Sequence, residues 1–141
     1  MNEAQASTKS RTIYVVDDDA DVRGSIEFLL AAGGRATASF STGTAFLSEV
    51  GKLTPGCILL DVRMPDMDGS DVLKELSRQK VDWPVVIMTG HGDLDLAVQM
   101  MTLGAVDYLE KPFEGAALRD ALHRAETILD HPDAFDTVNA N

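Results

Sequence analysis

The sequence is short of cations, and that shortage excludes more than any other feature of its composition. Twelve Lys and Arg stand against 23 Asp and Glu, a formal net charge of −11. Gripping a phosphate backbone takes clustered basic side chains. There is no basic stripe, no aromatic platform and no zinc-ligand spacing, so this chain is expected to bind no nucleic acid. Thiols are scarcer still. Cys57 is the only cysteine, which rules out an internal disulfide and suits a reducing, cytoplasmic setting. Its place in an apolar run points to a small buried residue rather than a reactive thiol. No apolar run approaches the ~20 residues that span a bilayer. Residues 1–10 are polar and lack the apolar core of a secretory signal, so no membrane partner is expected.

What the chain does have is order. Its 141 residues suit one domain with one hydrophobic core. The informative stretch runs from Cys57 to Gly69. It opens as a short apolar run of the kind that fills a buried parallel strand. Asp61 stands at the end of that run, Pro65 and Gly69 punctuate a loop, and a helical pattern follows from Ser70. An acid delivered to the carboxyl end of a buried strand enters the ligand crevice of an open α/β sheet. Asp is equally at home in turns and helix caps. This stretch alone leaves the two readings even.

The rest of the chain repeats the pattern. Thr12–Val16 reads as a strand ending on Asp17, Asp18 and Asp19. Residues 20–32 form a helical pattern with Val22, Ile26, Leu29 and Leu30 on one face, stopped by Gly33-Gly34. Residues 35–40 make a weaker strand, and Ser41 or Thr42 can cap a helix carrying Phe46, Leu47 and Val50. After the central strand and a helix over 70–79, residues 84–88 form a second continuously apolar strand that leads into Thr89-Gly90. Asp93 caps a helix to about Leu103, residues 105–109 are a fifth strand, and Glu110-Lys111-Pro112 precedes a last helix over 114–129. Residues 1–10 and 131–141 have little to pack and are expected to be disordered, leaving 11–130 as the domain.

Five β-α units with short connections predict an α/β fold: a five-stranded parallel sheet, order 2-1-3-4-5, with helices on both faces. Asp17, Asp18 and Asp61 then flank the switch point, while Thr89 and Lys111 reach the same rim. Three crowded carboxylates repel one another unless a cation compensates. Hard oxygens without Cys or His suit Mg²⁺. Asp61, at the centre, can act as a nucleophile toward a phosphoryl group. Lys111 and the Thr89 hydroxyl can hold its oxygens, and Gly90 leaves room for close approach. Each residue has a plain alternative as a cap or a surface charge, and Asp19 is read as a cap alone. Their conjunction at one rim is what argues for chemistry.

Val15-Val16-Asp17-Asp18-Asp19, Leu60 through Gly69, Met88 through Asp93 and Glu110-Lys111-Pro112-Phe113 resemble the signatures of the response-regulator receiver domain. The wording around Arg63 to Met67 and Thr89 to Asp93 is similar to the FixJ-type branch. The resemblance covers residues 11–129. It implies that Asp61 accepts a phosphoryl group from a sensor histidine kinase or phosphotransfer protein. It further implies that Asp18, Asp61 and the Arg63 carbonyl bind Mg²⁺ directly, Asp17 mainly through water. The backbone at Met64 and Gly90 would contact phosphate, Thr89 and Tyr108 would form the switch, and the Lys111-Pro112 peptide would be cis. Such a module is a phosphoacceptor that catalyses its own phosphorylation and dephosphorylation, not a turnover enzyme.

FixJ-type members usually continue into a LuxR-type helix-turn-helix domain, which does not follow here. A free-standing regulator acting on a downstream protein is therefore expected ahead of a receiver cut from a transcription factor. Two rivals fit less well. A haloacid-dehalogenase phosphatase needs an acid where Arg63 stands, and a flavodoxin would not place three acids after its first strand. For output, residues 93–103 carry more apolar side chains than one buried stripe requires. Leu94, Ala97 and Met101 are expected to fill the core in part, while others, the Met residues especially, lie on the surface beside Tyr108. That face is expected to hold a partner or a phosphorylation-dependent second copy.

Overall fold

The computed structural model describes residues 11–131. Five strands, β1 (Ile13–Val16), β2 (Thr37–Phe40), β3 (Ile58–Asp61), β4 (Val85–Thr89) and β5 (Asp107–Glu110), alternate with five helices. The helices are α1 (Ala20–Ala32), α2 (Gly43–Glu49), α3 (Gly69–Arg78), α4 (Leu94–Thr102) and α5 (Gly115–Asp130). The strands form one parallel sheet in the order β2-β1-β3-β4-β5, as expected. The expected disorder of 1–10 and of all but His131 in the tail lies outside the described residues.

Alternation along the buried strands divides the core in two. Ile13, Val15, Leu59, Val86, Met88 and Leu109 pack with Ile26 and Leu30 of α1 and with Leu118, Ala121, Leu122 and Ala125 of α5. Tyr14, Val16, Ile58, Leu60, Val85 and Ile87 face Phe46, Val72, Leu76, Ala97 and Met100 on the other side. Cys57 is buried with the first set, and burial pushes its thiol up to about 12. It is a packing residue.

The differences from expectation fall at element ends and have local causes. β5 starts two residues late, because the Ala105 amide closes the C-terminus of α4 on the Met100 carbonyl at 3.1 Å. Val50 belongs to a 3₁₀ turn (Val50–Lys52) and not to α2. Asp93 does not cap α4 with its side chain, which is engaged elsewhere. In α4 the core is filled by Ala97 and Met100, while Leu94, Val98 and Met101 are exposed. Of the residues read as partial core fillers, Ala97 is inside and Leu94 and Met101 are not; of the two methionines expected especially at the surface, Met101 is exposed and Met100 is buried.

One unforeseen buried ion pair ties the segment after α1 to α5. Arg35, just after α1, donates to Glu126 of α5, with the Nη1–Oε1 bond at 3.1 Å and a second, shorter contact through Nη2. Their side chains are 17% and 8% exposed, and burial holds the Arg35 pKa below its ordinary value against the counter-effect of Cys57.

Candidate acid pocket at the carboxyl rim of the sheet

β1 and β3 are adjacent and in register, with Val16 opposite Leu60. Each strand therefore ends by presenting a carboxylate at the same height, Asp17 just beyond β1 and Asp61 at the end of β3. Both are buried, whereas Asp18 is exposed at the mouth. One oxygen of each of Asp17, Asp18 and Asp61 lies within 4.8 Å of the others. A small octahedral cation with oxygen ligands at about 2.1 Å sees oxygens up to ~4.2 Å apart, so these side chains need close only slightly on Mg²⁺. The donors are all hard oxygens, and one remains open to water. The residues fit the ion.

Lys111 supplies the positive charge at the centre. Its Nζ stands 2.7 Å from Asp17 Oδ2 and 3.4 Å from Asp61 Oδ1. The Lys111 amide donates to the Thr89 carbonyl at 2.8 Å, and the cis Lys111-Pro112 peptide follows. Burial would lower the lysine's pKa, but its hydrogen bond to Asp17 and the charges of Asp61 and Asp17 outweigh that and hold it raised. Asp61 behaves in the opposite sense. Burial first, then the neighbouring Asp17 charge, push its carboxyl up to about 6 against the opposing pull of Lys111 and the Arg63 amide.

Asp17 is pinned from two sides: its Oδ1 accepts the Asp19 amide at 2.9 Å, and its carbonyl accepts Arg23 Nη1 at 2.7 Å. Asp19 caps α1 through the Asp21 and Val22 amides. Thr89, at the end of β4, is buried, and its hydroxyl donates to the Gly90 carbonyl at 3.3 Å. Tyr108, on β5, is 47% exposed and outside the pocket. The Met64 side chain packs in the α2–α4 core, and a Cβ at Gly90 would lie 3.5 Å from Asp93 Oδ2, an ordinary contact. The structure thus brings Asp17, Asp18, Asp61 and Lys111 together. Thr89 and Gly90 sit at the adjoining strand end, and Tyr108 is set apart.

The other acids of the rim are occupied. Asp66 reaches back to α2, accepting the Thr44 amide at 2.9 Å and its hydroxyl at 2.6 Å. With the Gly43 amide, these hydrogen bonds outweigh the upward effect of partial burial and hold Asp66 below its ordinary pKa. Asp68 caps α3 in a reciprocal capping box with Asp71. Asp93 binds Arg63 Nε at 2.6 Å. Sequence inspection did not anticipate the Asp66 and Arg63 contacts, since both partners are far away along the chain.

Gly69 holds the end of the loop after β3 close to its surroundings. A Cβ there would meet Met100 Cε at 2.4 Å and the Asp61 carbonyl at 3.1 Å. Gly69→Ala is expected to destabilise by about 1–2 kcal/mol, because Met100 can yield but the strand backbone cannot. An unchanged urea midpoint for Gly69→Ala would refute this packing account.

A parallel sheet in this order, carrying three carboxylates and a lysine at its carboxyl rim, defines a flavodoxin-like acid-pocket module. The chain belongs to the response regulator receiver domain family, whose pattern matches residues 13–123. It is similar to the transcriptional regulatory protein FixJ of Bradyrhizobium diazoefficiens, 48% identical over 118 residues, or 81% of this chain and 58% of that protein. FixJ of Rhizobium meliloti is 39% identical over 130 residues, covering 92% of this chain and 63% of FixJ. Among solved structures, full-length FixJ from B. japonicum superposes with a TM-score of 0.81 at 47% identity, covering 84% of this chain and 58% of that one. The crystal structure of FixJ-N gives 0.78 at 40% identity over 82% of this chain and 93% of that one. The chain therefore spans little more than half the length of the curated FixJ relatives it matches. Among the described residues, no helix is long and apolar enough to cross a membrane.

Proposed function

We propose that residues 11–130 are a two-component receiver in which Asp61 accepts a phosphoryl group from the phosphohistidine of a sensor kinase or phosphotransfer protein. An Asp61 oxygen bonds to phosphorus as the phosphorus–nitrogen bond breaks, and the histidine nitrogen leaves with the electron pair. The observation that carries this is the position of Lys111 Nζ between Asp17 and Asp61. The lysine holds Asp61 in place and can follow a phosphoryl oxygen without leaving Asp17. Asp17, Asp18, Asp61 and the Arg63 carbonyl are the proposed holders of Mg²⁺, which when bound neutralises charge on the transferring group. Backbone amides at Met64 and Gly90 and the Thr89 hydroxyl are the proposed contacts to the remaining oxygens. Hydrolysis of the acyl phosphate at the same pocket makes the modification self-limiting.

The proposed setting is the cytoplasm. The proposed output is a protein contact on the face of α4, β5 and α5, where Leu94, Val98, Met101 and Tyr108 are exposed. Movement of Thr89 toward a phosphorylated Asp61 would free space for Tyr108 to turn inward. A few kcal/mol of preference then shifts the population strongly. The occupant is a downstream protein or a second copy of the chain. The length of the protein in its native cells, read by immunoblot, decides between a free-standing regulator and one joined to a LuxR-type domain.

Mass spectrometry after acetyl phosphate and Mg²⁺ tests the reading: one acid-stable, base-labile phosphoryl group on Asp61 is expected. Phosphorylation-dependent changes in hydrogen exchange are expected from Thr89 to Phe113, and Thr89→Ala should remove them while leaving incorporation measurable. Changes confined to the surroundings of Asp61 would refute the switch.

A further inference from the structure

The Arg63–Asp93 ion pair sits at a junction that the phosphoacceptor chemistry does not use. Arg63 lies in the loop after β3 and Asp93 in the loop between β4 and α4, and the contact is 2.6 Å. Asp93 also occupies the N-cap position of α4. The caps of α1, α2 and α3 (Asp19, Thr42 and Asp68) have extended backbone, with ψ of 112°, 155° and 173°, and each accepts a hydrogen bond from its helix's first turn. Asp93 does neither: its φ and ψ are −104° and 21°, and its side chain makes no cap bond. An Asp at this position is a strong helix cap when its backbone is extended. Here its carboxylate is turned to the guanidinium instead, and the first-turn amides of α4 go without a side-chain cap.

The residue that does not cap also closes a turn beside the pocket. The Asp93 amide donates to the Gly90 carbonyl at 3.2 Å, with Gly92 between them at φ +91°. Gly90 is the residue after Thr89. The φ of Asp93 already lies within the range of the other caps (−87°, −141° and −86°), so reaching the extended form is a change in its ψ alone, which leaves the turn closed and swings α4 about it.

We infer that Asp93 is a two-position carboxylate: paired with Arg63 it leaves α4 uncapped, and released from Arg63 it takes extended backbone, caps α4 and re-aims that helix on the Gly90–Asp93 turn. Arg63 is the positioning residue. A phosphoryl group on Asp61 brings new anionic oxygens next to the loop that carries Arg63 and competes with Asp93 for its guanidinium. That last link rests on the proposed phosphorylation of Asp61, whereas the two-position behaviour does not.

Solvent exchange of the Asp95 and Leu96 amides, followed by NMR on the full chain, reads the cap directly. Arg63→Ala is expected to slow both amides about fivefold, the effect of a good cap. Asp93→Asn keeps a capping side chain but loses the ion pair, and should slow them similarly. Asp93→Ala can neither pair nor cap, so no slowing is expected, and it should abolish the effect of Arg63→Ala in the double variant. Arg63→Lys, which keeps the cation, should stay nearer to wild type than Arg63→Ala. Unchanged or faster exchange in Arg63→Ala, or slowing that persists in the double variant, overturns the inference. Acetyl phosphate with Mg²⁺ should slow the same amides in the wild type and add nothing in Arg63→Ala. If mass spectrometry shows no phosphoryl group on Asp61, the phosphoacceptor reading fails, and the variant series still decides the cap.

Discussion

Asp61→Asn is expected to take up no phosphoryl group from acetyl phosphate and Mg²⁺, yet to unfold later than the wild type when Mg²⁺ is withheld. The two effects have one origin. The carboxylate proposed to attack phosphorus is also the one that is costly to keep ionised, because it is buried beside Asp17. Its folded-state pKa, about 6, lies above the ordinary 3.8. The ionised form is thus less favourable in the folded chain than in the unfolded one, and the contribution of Asp61 to stability falls as the pH rises from about 4 through about 6. The amide does not titrate. Its advantage should be near zero at pH 3.5 and complete above pH 6.5, reaching about 1–2 kcal/mol after allowance for solvent screening at the rim. Adding Mg²⁺ should erase it, because the cation stabilises only the wild-type pocket strongly. Urea titrations across pH with and without Mg²⁺, read by the single tryptophan Trp83, check the stability half. An Asp61→Asn advantage that does not grow between pH 4 and 6 without Mg²⁺ would contradict it, and undiminished labelling of Asp61→Asn at another residue would displace Asp61 as the acceptor.

Lys111→Ala should act in the opposite direction. Asp17 is fully buried, and among the described residues its carboxylate pairs with Lys111 Nζ at 2.7 Å. Removing the ammonium leaves two buried carboxylates and the Asp18 charge facing one another. Breaking a buried ion pair costs roughly 3–5 kcal/mol, and the partial exposure of the lysine reduces that here to about 2. Mg²⁺ should recover most of the loss, and its affinity should rise severalfold, since the ion no longer competes with an ammonium for the same oxygens. Unaltered stability without Mg²⁺, or a deficit that Mg²⁺ leaves in place, would show that Lys111 does not hold the pocket together. Lys111→Met, which keeps the apolar stem, separates lost charge from lost packing.

The two variants address the part of the site that was readable before any coordinates. Asp17, Asp18, Asp61 and Lys111 were legible because parallel β-α topology converts strand ends into one rim, so sequence position alone fixes their neighbourhood. The same logic gave the strand order. It fails for contacts made by loops reaching sideways. Asp66 lies 22 residues from Thr44, and Arg63 lies 30 from Asp93. No periodicity connects either pair. Glu126 was missed for a different reason, and a signal was available. It follows Leu118 and Leu122 at intervals of four on the apolar stripe of α5, where an acid requires a buried cation. Arg35 is that cation. The two readings of Leu94 and Met101, inside or outside, reflect a helix that is apolar on most sides, so that periodicity could not choose its inner face. Ala97 and Met100 fill that face.

Asp66 gives the pocket a handedness. By tying the loop after β3 to the start of α2, while Asp68 closes the start of α3, it makes that flank of the rim a fixed jaw. The opposite flank, from Thr89 to Leu94, is held by one exposed ion pair and a tight turn around Gly92. If Asp61 is phosphorylated as proposed, movement in the pocket is expected to run toward α4 and β5, with the α2 side as its abutment.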